Sequence, residues 1–304
     1  MRAPLSSETM PFFEHDGQRI AYSVYGDGPR VTLLLPGLLL SQRMQEPLAE
    51  ALAARGERVI VMDPLGHGRS DRPRDMWRYS MSAFGREVIA LLDHLEVEQA
   101  VIGGTSLGAN VALEVASAAP ERVRGMLLEM PVLDNGLLGS ALAFTPLLVA
   151  LTFGEPIMKL VRRLARLVPR APLPLVGEIA ADWLSQDPGP SAAALQGIFF
   201  GRIAPHRSER REFGAPALVI GHPRDPIHPF SDADMLAAEL PNGRLLNADS
   251  VLELRTRPER LTGEIAAFVA ECWSPPTLRA VRRPARRRAA SGNRARRRPR
   301  AASA

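Results

Sequence analysis

Residues 101–108 read Val-Ile-Gly-Gly-Thr-Ser-Leu-Gly, and their last five positions match the pattern Gly-x-Ser-x-Gly. The apolar residues before the pattern predict a buried strand, and the Ala-, Val- and Leu-rich stretch 109–119 predicts a helix. A serine on a sharp turn between a strand and a helix is the context that a nucleophile elbow requires. Gly104 and Gly108 leave room for such a strained turn around Ser106. The alternative is a glycine-rich turn with an incidental serine, and the flanking strand and helix favour the nucleophile.

Strand-like and helix-like segments alternate on both sides of this turn. A hairpin is predicted around Asp16-Gly17, because two strand-like stretches flank this strong turn signal. Further strands are predicted at 31–35, 58–62, 123–129, 216–221 and 244–247, and helices at 44–55, 81–95, 231–240 and 258–273. This alternation predicts an α/β protein with a mostly parallel sheet that helices cover on both faces.

The alternation stops between about Asn135 and Glu212, where the sequence holds no clear strand and several prolines. Two helices are predicted here, at 137–153 and 156–168. The sequence therefore predicts a core at 12–134 and 213–273 and a helical cap at 135–212. The uncharged run 135–154 has the length of a membrane span, but a span there would split the sheet. The basic amphipathic stretch 159–170 suits either a membrane surface or a solvated helix face, and we favour the latter.

Charge is distributed unevenly along the chain. The formal net charge is +5, yet residues 274–304 contain eleven arginines and no acidic residue, so residues 1–273 carry −6. The arginine-rich segment 274–304 is predicted to be a disordered, passive tail, and no specific nucleic-acid partner is expected.

Cys272 is the single cysteine, which favours a reducing compartment, and Met1–Glu14 lacks the apolar run of a signal peptide. We therefore predict a cytoplasmic protein with no transmembrane segment.

Four segments occur in an order and at spacings that resemble the α/β-hydrolase fold family. They are Leu35-Pro-Gly37, Asp63-Pro-Leu-Gly-His-Gly-Arg-Ser70, Gly104-Thr-Ser-Leu-Gly108 and Gly221-His-Pro-Arg-Asp-Pro-Ile-His-Pro229. Within the serine-nucleophile branch, residues 66–95 and the elbow are most similar to lactonases of the 3-oxoadipate enol-lactonase type and related small esterases. The resemblance implies a sheet of about eight strands with Ser106 at a sharp turn.

The same resemblance implies roles for individual residues. Ser106 would be the nucleophile, and the backbone amides of Leu38 and Leu107 would form the oxyanion hole. Pro36 stands where the family usually has the histidine of a His-Gly pair, a change that backbone donors can tolerate. Asp225 occupies the position of the family's acid. Glu129 and Asp134 follow the strand after the elbow, where some relatives place the acid, so they are kept as reserve candidates.

The general base is the unresolved part of the pattern. The family's histidine follows the last strand, but residues 247–253 contain none, and no histidine follows His228. Three explanations remain open: a histidine from another loop, a carboxylate base, or a protein that does not hydrolyse by this route. The histidine candidates are His228, His222 and His206, and the carboxylate candidates are Asp249 and Glu253. We hypothesise that, if the protein is active, His228 is the base, which requires its side chain within about 3.2 Å of the Ser106 hydroxyl, directly or through one water.

These residues predict a serine hydrolase that acts on an ester, lactone or related carbonyl of a small, rather apolar substrate. A serine at the elbow argues against the dehalogenase and epoxide-hydrolase branches, which need a carboxylate nucleophile. No cofactor or metal is expected. The alternative is a catalytically silent protein of the same fold that binds a ligand or partner.

Overall fold

The computed structural model describes residues 11–167 and 173–274. Within these residues, eight strands form one sheet in the order β1-β2-β4-β3-β5-β6-β7-β8. The strands are β1 (Phe12–His15), β2 (Gln18–Tyr25), β3 (Arg30–Leu35), β4 (Glu57–Asp63), β5 (Ala100–Thr105), β6 (Val123–Glu129), β7 (Ala217–Gly221) and β8 (Gly243–Asn247). β2 pairs antiparallel with β1 and β4, and the other pairs are parallel. The predicted fold class, a mostly parallel sheet of about eight strands, is confirmed.

Helices connect the strands and cover the sheet. In chain order they are α1 (Glu46–Ala53), α2 (Met81–His94), α3 (Leu107–Ala118), α4 (Leu137–Phe153), α5 (Glu155–Leu167), α6 (Leu175–Leu184), α7 (Pro188–Phe200), α8 (Arg207–Arg210), α9 (Phe230–Glu239), α10 (Glu253–Thr256) and α11 (Glu259–Trp273). Local signals set their starts. The Ser80 side chain, for example, accepts a hydrogen bond from the Ala83 amide and caps α2.

The strand period of two places alternate side chains in two apolar layers. Leu33 and Leu35 of β3 face the layer that contains α2, α3 and α9. Leu34 points the other way, into the layer that α1 and α11 complete. Since both faces of the central strands are buried, their sequences read as continuous apolar runs. The core thereby fixes the carboxyl ends of β5, β6 and β7 next to one another, and these ends carry the candidate site.

Helices α4 to α8 follow one another between β6 and β7, in the segment predicted as a cap. The division into a core and a cap remains a proposal. The sequence predicts α4 and α5 but not α6, α7 or α8. Helix α7 begins at Pro188, because proline is tolerated in a first helical turn and the Asp187 side chain accepts from the Gly189 amide. Of the predicted disordered tail, everything after Ser274 lies outside the described residues.

No single helix in the described residues is both long and apolar enough to cross a membrane. Helices α4 and α5 reach the required length and hydropathy only when they are taken together. They are bent by 99° at the break between them.

Candidate active site

Ser106 occupies a strained turn between β5 and α3. Its backbone has φ 56° and ψ −110°, in a region that non-glycine residues seldom adopt. The turn also demands glycine on both sides. A Cβ at Gly104 would lie 2.2 Å from the Leu35 carbonyl oxygen, and a Cβ at Gly108 would lie 2.5 Å from the same atom. The Ser106 amide donates to the Glu129 carbonyl at 2.8 Å, which ties the turn to the end of β6.

The loop after β7 is organised around Asp225. Its Oδ1 accepts hydrogen bonds from the amides of Ile227 at 2.9 Å and His228 at 3.0 Å. Arg224, just before it, has a positive φ of 60°. An aspartate that accepts from amides two and three residues on folds the loop back on itself. The fold-back turns the His228 ring toward the end of β5.

His228 contacts both Ser106 and Asp225. Its Nδ1 lies 2.9 Å from Oδ2 of Asp225, and its Nε2 lies 2.9 Å from Oγ of Ser106. A carboxylate can only accept, so Nδ1 carries a proton and donates it to Asp225. In the neutral imidazole Nε2 is then an acceptor, and the Ser106 hydroxyl donates to it. The three side chains form a continuous chain of hydrogen bonds with the polarity that activates a serine.

Electrostatics keep the Asp225 carboxylate ionised. Burial alone would raise its pKa, but hydrogen bonds from the His228 ring and from the loop amides, together with the His228 charge, lower the pKa below its usual value. The carboxyl therefore remains an acceptor for Nδ1–H throughout the neutral range. A fixed acceptor holds the ring in one tautomer and one orientation.

Two residues beside Ser106 have backbone amides without an acceptor in the described part of the chain. The amides of Leu38 and Leu107 donate to no other group among the described residues, and both residues line a pocket with Ser106. Leu107 is the first residue of α3, where amides have no partner within the helix and the helix dipole is positive. Such donors suit an oxyanion that forms next to Ser106.

The pocket beside Ser106 has a volume of about 270 Å³ and a mostly apolar wall. One side comes from α4 and the other from α7 and the loop after it. Asn110 is the buried polar residue of the wall. Its side chain donates to the carbonyls of Val132 and Ile203 at 2.8 Å and accepts from the Val132 amide, so it is fully used in holding the wall. The remaining lining residues are Leu38, Met81, Leu107, Leu137, Ser140, Ala141, Phe144, Leu195, Ile198 and Phe199.

Comparison with known proteins bears on this arrangement. Residues 31–155 match the family model of the alpha/beta hydrolase fold. A hydrolase from Pseudomonas aeruginosa superimposes with a TM-score of 0.73 at 24% identity, covering 87% of this chain and 99% of that one. The enol-lactonase from Burkholderia xenovorans gives a TM-score of 0.71 at 23% identity, covering 86% and 100%. The chain has the α/β-hydrolase fold. The predicted α/β-hydrolase fold is thereby confirmed.

Curated relatives match over a shorter region. The putative carbamate hydrolase RutD of Azorhizobium caulinodans is 35% identical over 119 residues, which is 39% of this chain and 43% of the relative. The chain spans less than half the length of the curated relatives it matches. The family-model match of the α/β-hydrolase fold, over residues 31–155, includes the elbow strand and Ser106.

The other predicted bases and acids of this α/β-hydrolase fold lie elsewhere. His222 is buried and its Nδ1 contacts the Ser250 carbonyl, while His206 caps α8 through Ser208. Asp249 is largely exposed, and both oxygens of Glu253 are bound by Arg260. None of these four residues hydrogen-bonds to Ser106 within the described part of the chain. Asp134 is exposed, so of the reserve acids only Glu129 lies beneath the elbow.

A buried ion pair supports the elbow from below. The Arg255 guanidinium donates to Oε2 of Glu129 at 2.8 Å and to the Thr105 hydroxyl at 2.8 Å. Thr105 also hydrogen-bonds to Glu129, and Gln45 donates to Thr105 at 3.0 Å. Arg255 comes from α10, just after the loop where the α/β-hydrolase family usually carries its histidine. In this chain the segment after β8 instead places the Arg255 guanidinium against Thr105, the residue before Ser106.

The same cluster holds a buried histidine. Burial alone would raise the pKa of Glu129, but Arg255 and His222 outweigh it and lower the pKa to about 2. Nε2 of His222 lies 3.5 Å from Oε1 of Glu129. Burial lowers the pKa of His222, yet Glu129 raises it by more, so the net shift is upward. The cluster places fixed charge under the turn without touching the Ser106 hydroxyl.

Sequence reasoning did not identify Arg255, Thr105 or Asn110 as part of the site. Arg255 is 126 residues from Glu129 in the chain, and arginine is too common in this sequence to single out. Asn110 offered one usable signal: a polar side chain one turn after the elbow serine, in a helix that is otherwise almost wholly apolar.

Proposed function

We propose that the protein is a serine hydrolase that cleaves an ester, lactone or related carbonyl of a small, rather apolar substrate. One observation carries the proposal: Oγ of Ser106 lies 2.9 Å from Nε2 of His228, whose Nδ1 lies 2.9 Å from Asp225. Serine needs a neighbouring base to be a useful nucleophile at neutral pH, and this arrangement provides one. Ser106 is the nucleophile, His228 the base and Asp225 the residue that orients it.

Acylation follows from the geometry. Nε2 of His228 takes the Ser106 proton as Oγ attacks the substrate carbonyl carbon, and the π electrons of the carbonyl move to its oxygen. The amides of Leu38 and Leu107 stabilise this oxyanion. The oxyanion collapses, the bond to the leaving oxygen breaks, and His228 returns the proton to the leaving group. The products are an acyl ester on Ser106 and a free alcohol, or a hydroxyacyl ester when the substrate is a lactone.

Deacylation repeats the steps with water. His228 takes a proton from the water as its oxygen attacks the acyl carbon, and the same amides hold the second oxyanion. Collapse breaks the bond to Oγ, and His228 returns the proton to Ser106. Asp225 stays ionised throughout and stabilises the imidazolium in both halves of the reaction.

The pocket supports an apolar substrate of limited size. A cavity of about 270 Å³ with a largely apolar wall binds through burial of apolar surface, which contributes about 25 cal/mol per Å². Charged side chains are missing from its described lining. One relative is named a putative carbamate hydrolase, and a carbamate is a carbonyl compound. These features support a compact acyl group or lactone ring as the substrate.

The alternative, a catalytically silent binding protein, rests on the lack of a histidine after β8. The contact between His228 and Ser106 favours the hydrolase instead, because an imidazole lies within hydrogen-bond distance of the serine from another loop. The cytoplasmic location and the absence of a nucleic-acid partner remain predictions from the sequence.

Covalent labelling tests the proposal without knowledge of the natural substrate. A fluorophosphonate reacts with a serine hydroxyl only when a base activates it, and intact-mass spectrometry counts the adducts. We expect one adduct on the wild-type protein, none on Ser106→Ala and strongly slowed labelling of His228→Ala. His206→Ala is the matched control, because His206 is an exposed histidine whose ring contacts Ser208 and not Ser106. Labelling of wild type at a residue other than Ser106, or no labelling, would contradict the proposal.

A further inference from the structure

Helix α4 exposes apolar side chains along one face. Among its described residues Leu151 is the buried one, although the helix is apolar nearly throughout. Leu138, Leu142 and Phe153 are each more than half exposed. Their spacing of four and eleven residues places them on the same side of a helix with 3.6 residues per turn. A helix that is apolar all round is normally buried, but these three side chains of α4 are exposed to solvent.

Helix α5 repeats the pattern. Ile157, Leu160, Leu164 and Leu167 follow one another at spacings of three, four and three, and each is more than half exposed. The opposite side of α5 packs on the protein through Ala165. The exposed stripes of α4 and α5 adjoin in the chain at Phe153 and Ile157, and we call these seven side chains the apolar cap face. Large apolar side chains exposed in this number on two consecutive helices, which meet at a 99° bend, mark a surface that binds something.

Basic side chains border the apolar cap face. Residues 135–167 contain Lys159, Arg162, Arg163 and Arg166 but a single acid, Glu155. Arg163 is exposed and forms no ion pair with any residue in the described part of the chain, whereas Arg166 lines a polar cleft with Asp182 and Asp187. Residues 1–273 as a whole carry −6, so this is a positive region on an acidic body. An exposed apolar stripe with arginines at its edge is the pattern of a helix that lies on an anionic lipid surface.

Helix α4 also connects this face to the candidate active site. Ser140, Ala141 and Phe144 line the pocket beside Ser106, and they lie on the side of the helix opposite Leu138 and Leu142. One face of α4 therefore walls the pocket while the other is the exposed stripe. Phe199 of α7 likewise lines the pocket and is partly exposed.

We infer that the apolar cap face of α4 and α5 docks onto an anionic lipid bilayer. The seven apolar side chains insert among the acyl chains at the depth of the headgroups, while Arg163 binds a lipid phosphate. A second copy of the chain fits the face less well, since a symmetric pair presents the same positively charged segment from both copies and offers it no opposite charge. Docking places the pocket wall at the membrane, which suits a rather apolar ligand. The inference does not depend on hydrolysis at Ser106.

A local probe tests the inference in the full-length protein. Leu164→Cys is labelled with an environment-sensitive fluorophore, and Glu98→Cys, exposed at the opposite end of the sheet, is the matched control. Cys272 is buried, and wild-type protein treated with the same fluorophore measures any background labelling at that cysteine. With phosphatidylglycerol vesicles we expect a blue shift at position 164 and none at 98, and no shift at either with phosphatidylcholine vesicles.

Two variants make the test quantitative. Leu160→Glu with Leu164→Glu should weaken sedimentation with phosphatidylglycerol vesicles about tenfold or more, because each leucine loses its burial in lipid. Arg163→Glu changes one exposed side chain and should also weaken binding. Thermal melts establish that both variants fold. Vesicle binding with no shift at position 164 would overturn the inference, because the protein would then bind through another segment. A shift at 164 without vesicles that grows with protein concentration would also overturn it, in favour of a second copy.

Discussion

His228 and Asp225 are three residues apart on one loop, and Nδ1 of His228 lies 2.9 Å from Oδ2 of Asp225. The proposed base and the residue proposed to orient it therefore belong to one loop, the segment after β7. Asp225 has two tasks in it. Oδ1 accepts two amides that fold the loop, and Oδ2 holds the imidazole. The position after β8 is left free for Arg255, which supports the elbow from the opposite side.

The two tasks of Asp225 can be separated by substitution. Asp225→Asn keeps an oxygen for the two loop amides but loses the negative charge that holds Nδ1–H. We expect kcat to fall on the order of 10⁴-fold with little change in melting temperature. Asp225→Ala should lose the same activity and also destabilise the fold by about 1–3 kcal/mol, because the loop amides lose their acceptor. Ester hydrolysis and thermal melts of both variants measure this. An Asn variant with more than about a tenth of wild-type kcat would be inconsistent with the role of Asp225.

The pocket size predicts which acyl chains are accepted. Ala141→Phe adds a ring to the wall of a cavity of about 270 Å³. We expect kcat/KM for a medium-chain p-nitrophenyl ester to fall at least about tenfold, while the acetate ester is affected much less, because the added ring excludes the longer chain. Kinetics with a series of chain lengths measure the effect. An equal loss for all esters would show that the substitution disturbs Ser106 and not the pocket.

Much of this fold could be predicted, because local patterns of apolar residues indicate its strands and core helices. Apolar runs such as 31–35 and 123–129 match β3 and β6 closely, and Gly-x-Ser-x-Gly fixes the elbow. Helix α7 escaped prediction because Pro188-Gly-Pro190 resembles a turn, although prolines are permitted in a first helical turn. The contact between His228 and Ser106 depends on the backbone angles at Arg224 and on the amides that donate to Asp225. A periodic pattern of apolar residues predicts neither feature. The pair of Arg255 and Glu129 joins residues 126 apart, so only the assembled sheet brings it together.

The buried pair of Arg255 and Glu129 should be strongly coupled. Arg255→Met leaves the Glu129 charge buried and without its main partner, which should cost about 3–5 kcal/mol in the free energy of unfolding. The double variant Arg255→Met with Glu129→Gln should recover much of this loss, because the unpaired charge is gone. Urea unfolding of the two single variants and the double variant completes the cycle. Additive losses would mean that the two residues act independently.

The stability that the pair of Arg255 and Glu129 contributes should depend on pH. The pKa of folded Glu129 is about 2, below the value near 4.5 of an ordinary glutamate. Its contribution to stability is therefore fully present above about pH 4.5 and is lost as the pH falls toward 2. Arg255→Met should remove this acid-side dependence, which acid unfolding curves of wild type and variant can measure.

Glu87 shifts stability in the opposite direction. It is buried beside the Leu65 amide, and burial raises its pKa to about 8. The folded state therefore holds a proton that the unfolded state releases near pH 4.5, so this group makes wild type lose stability as the pH rises from about 4.5 to 8. Glu87→Gln keeps the acceptor and removes the titration. The stability of the variant relative to wild type should rise by up to about 1.4 kcal/mol per pH unit in this window. A difference in unfolding free energy that does not vary with pH would rule out this account of Glu87.

The most direct test is the turnover of a p-nitrophenyl ester by four proteins: wild type, Ser106→Ala, His228→Ala and the control His206→Ala. The account predicts that kcat/KM falls on the order of 10⁴-fold or more for Ser106→Ala and for His228→Ala, because a serine without its base is a poor nucleophile. His206→Ala should stay within about twofold of wild type. If Ser106→Ala abolishes turnover while His228→Ala retains it, His228 is not the base and the central claim is wrong.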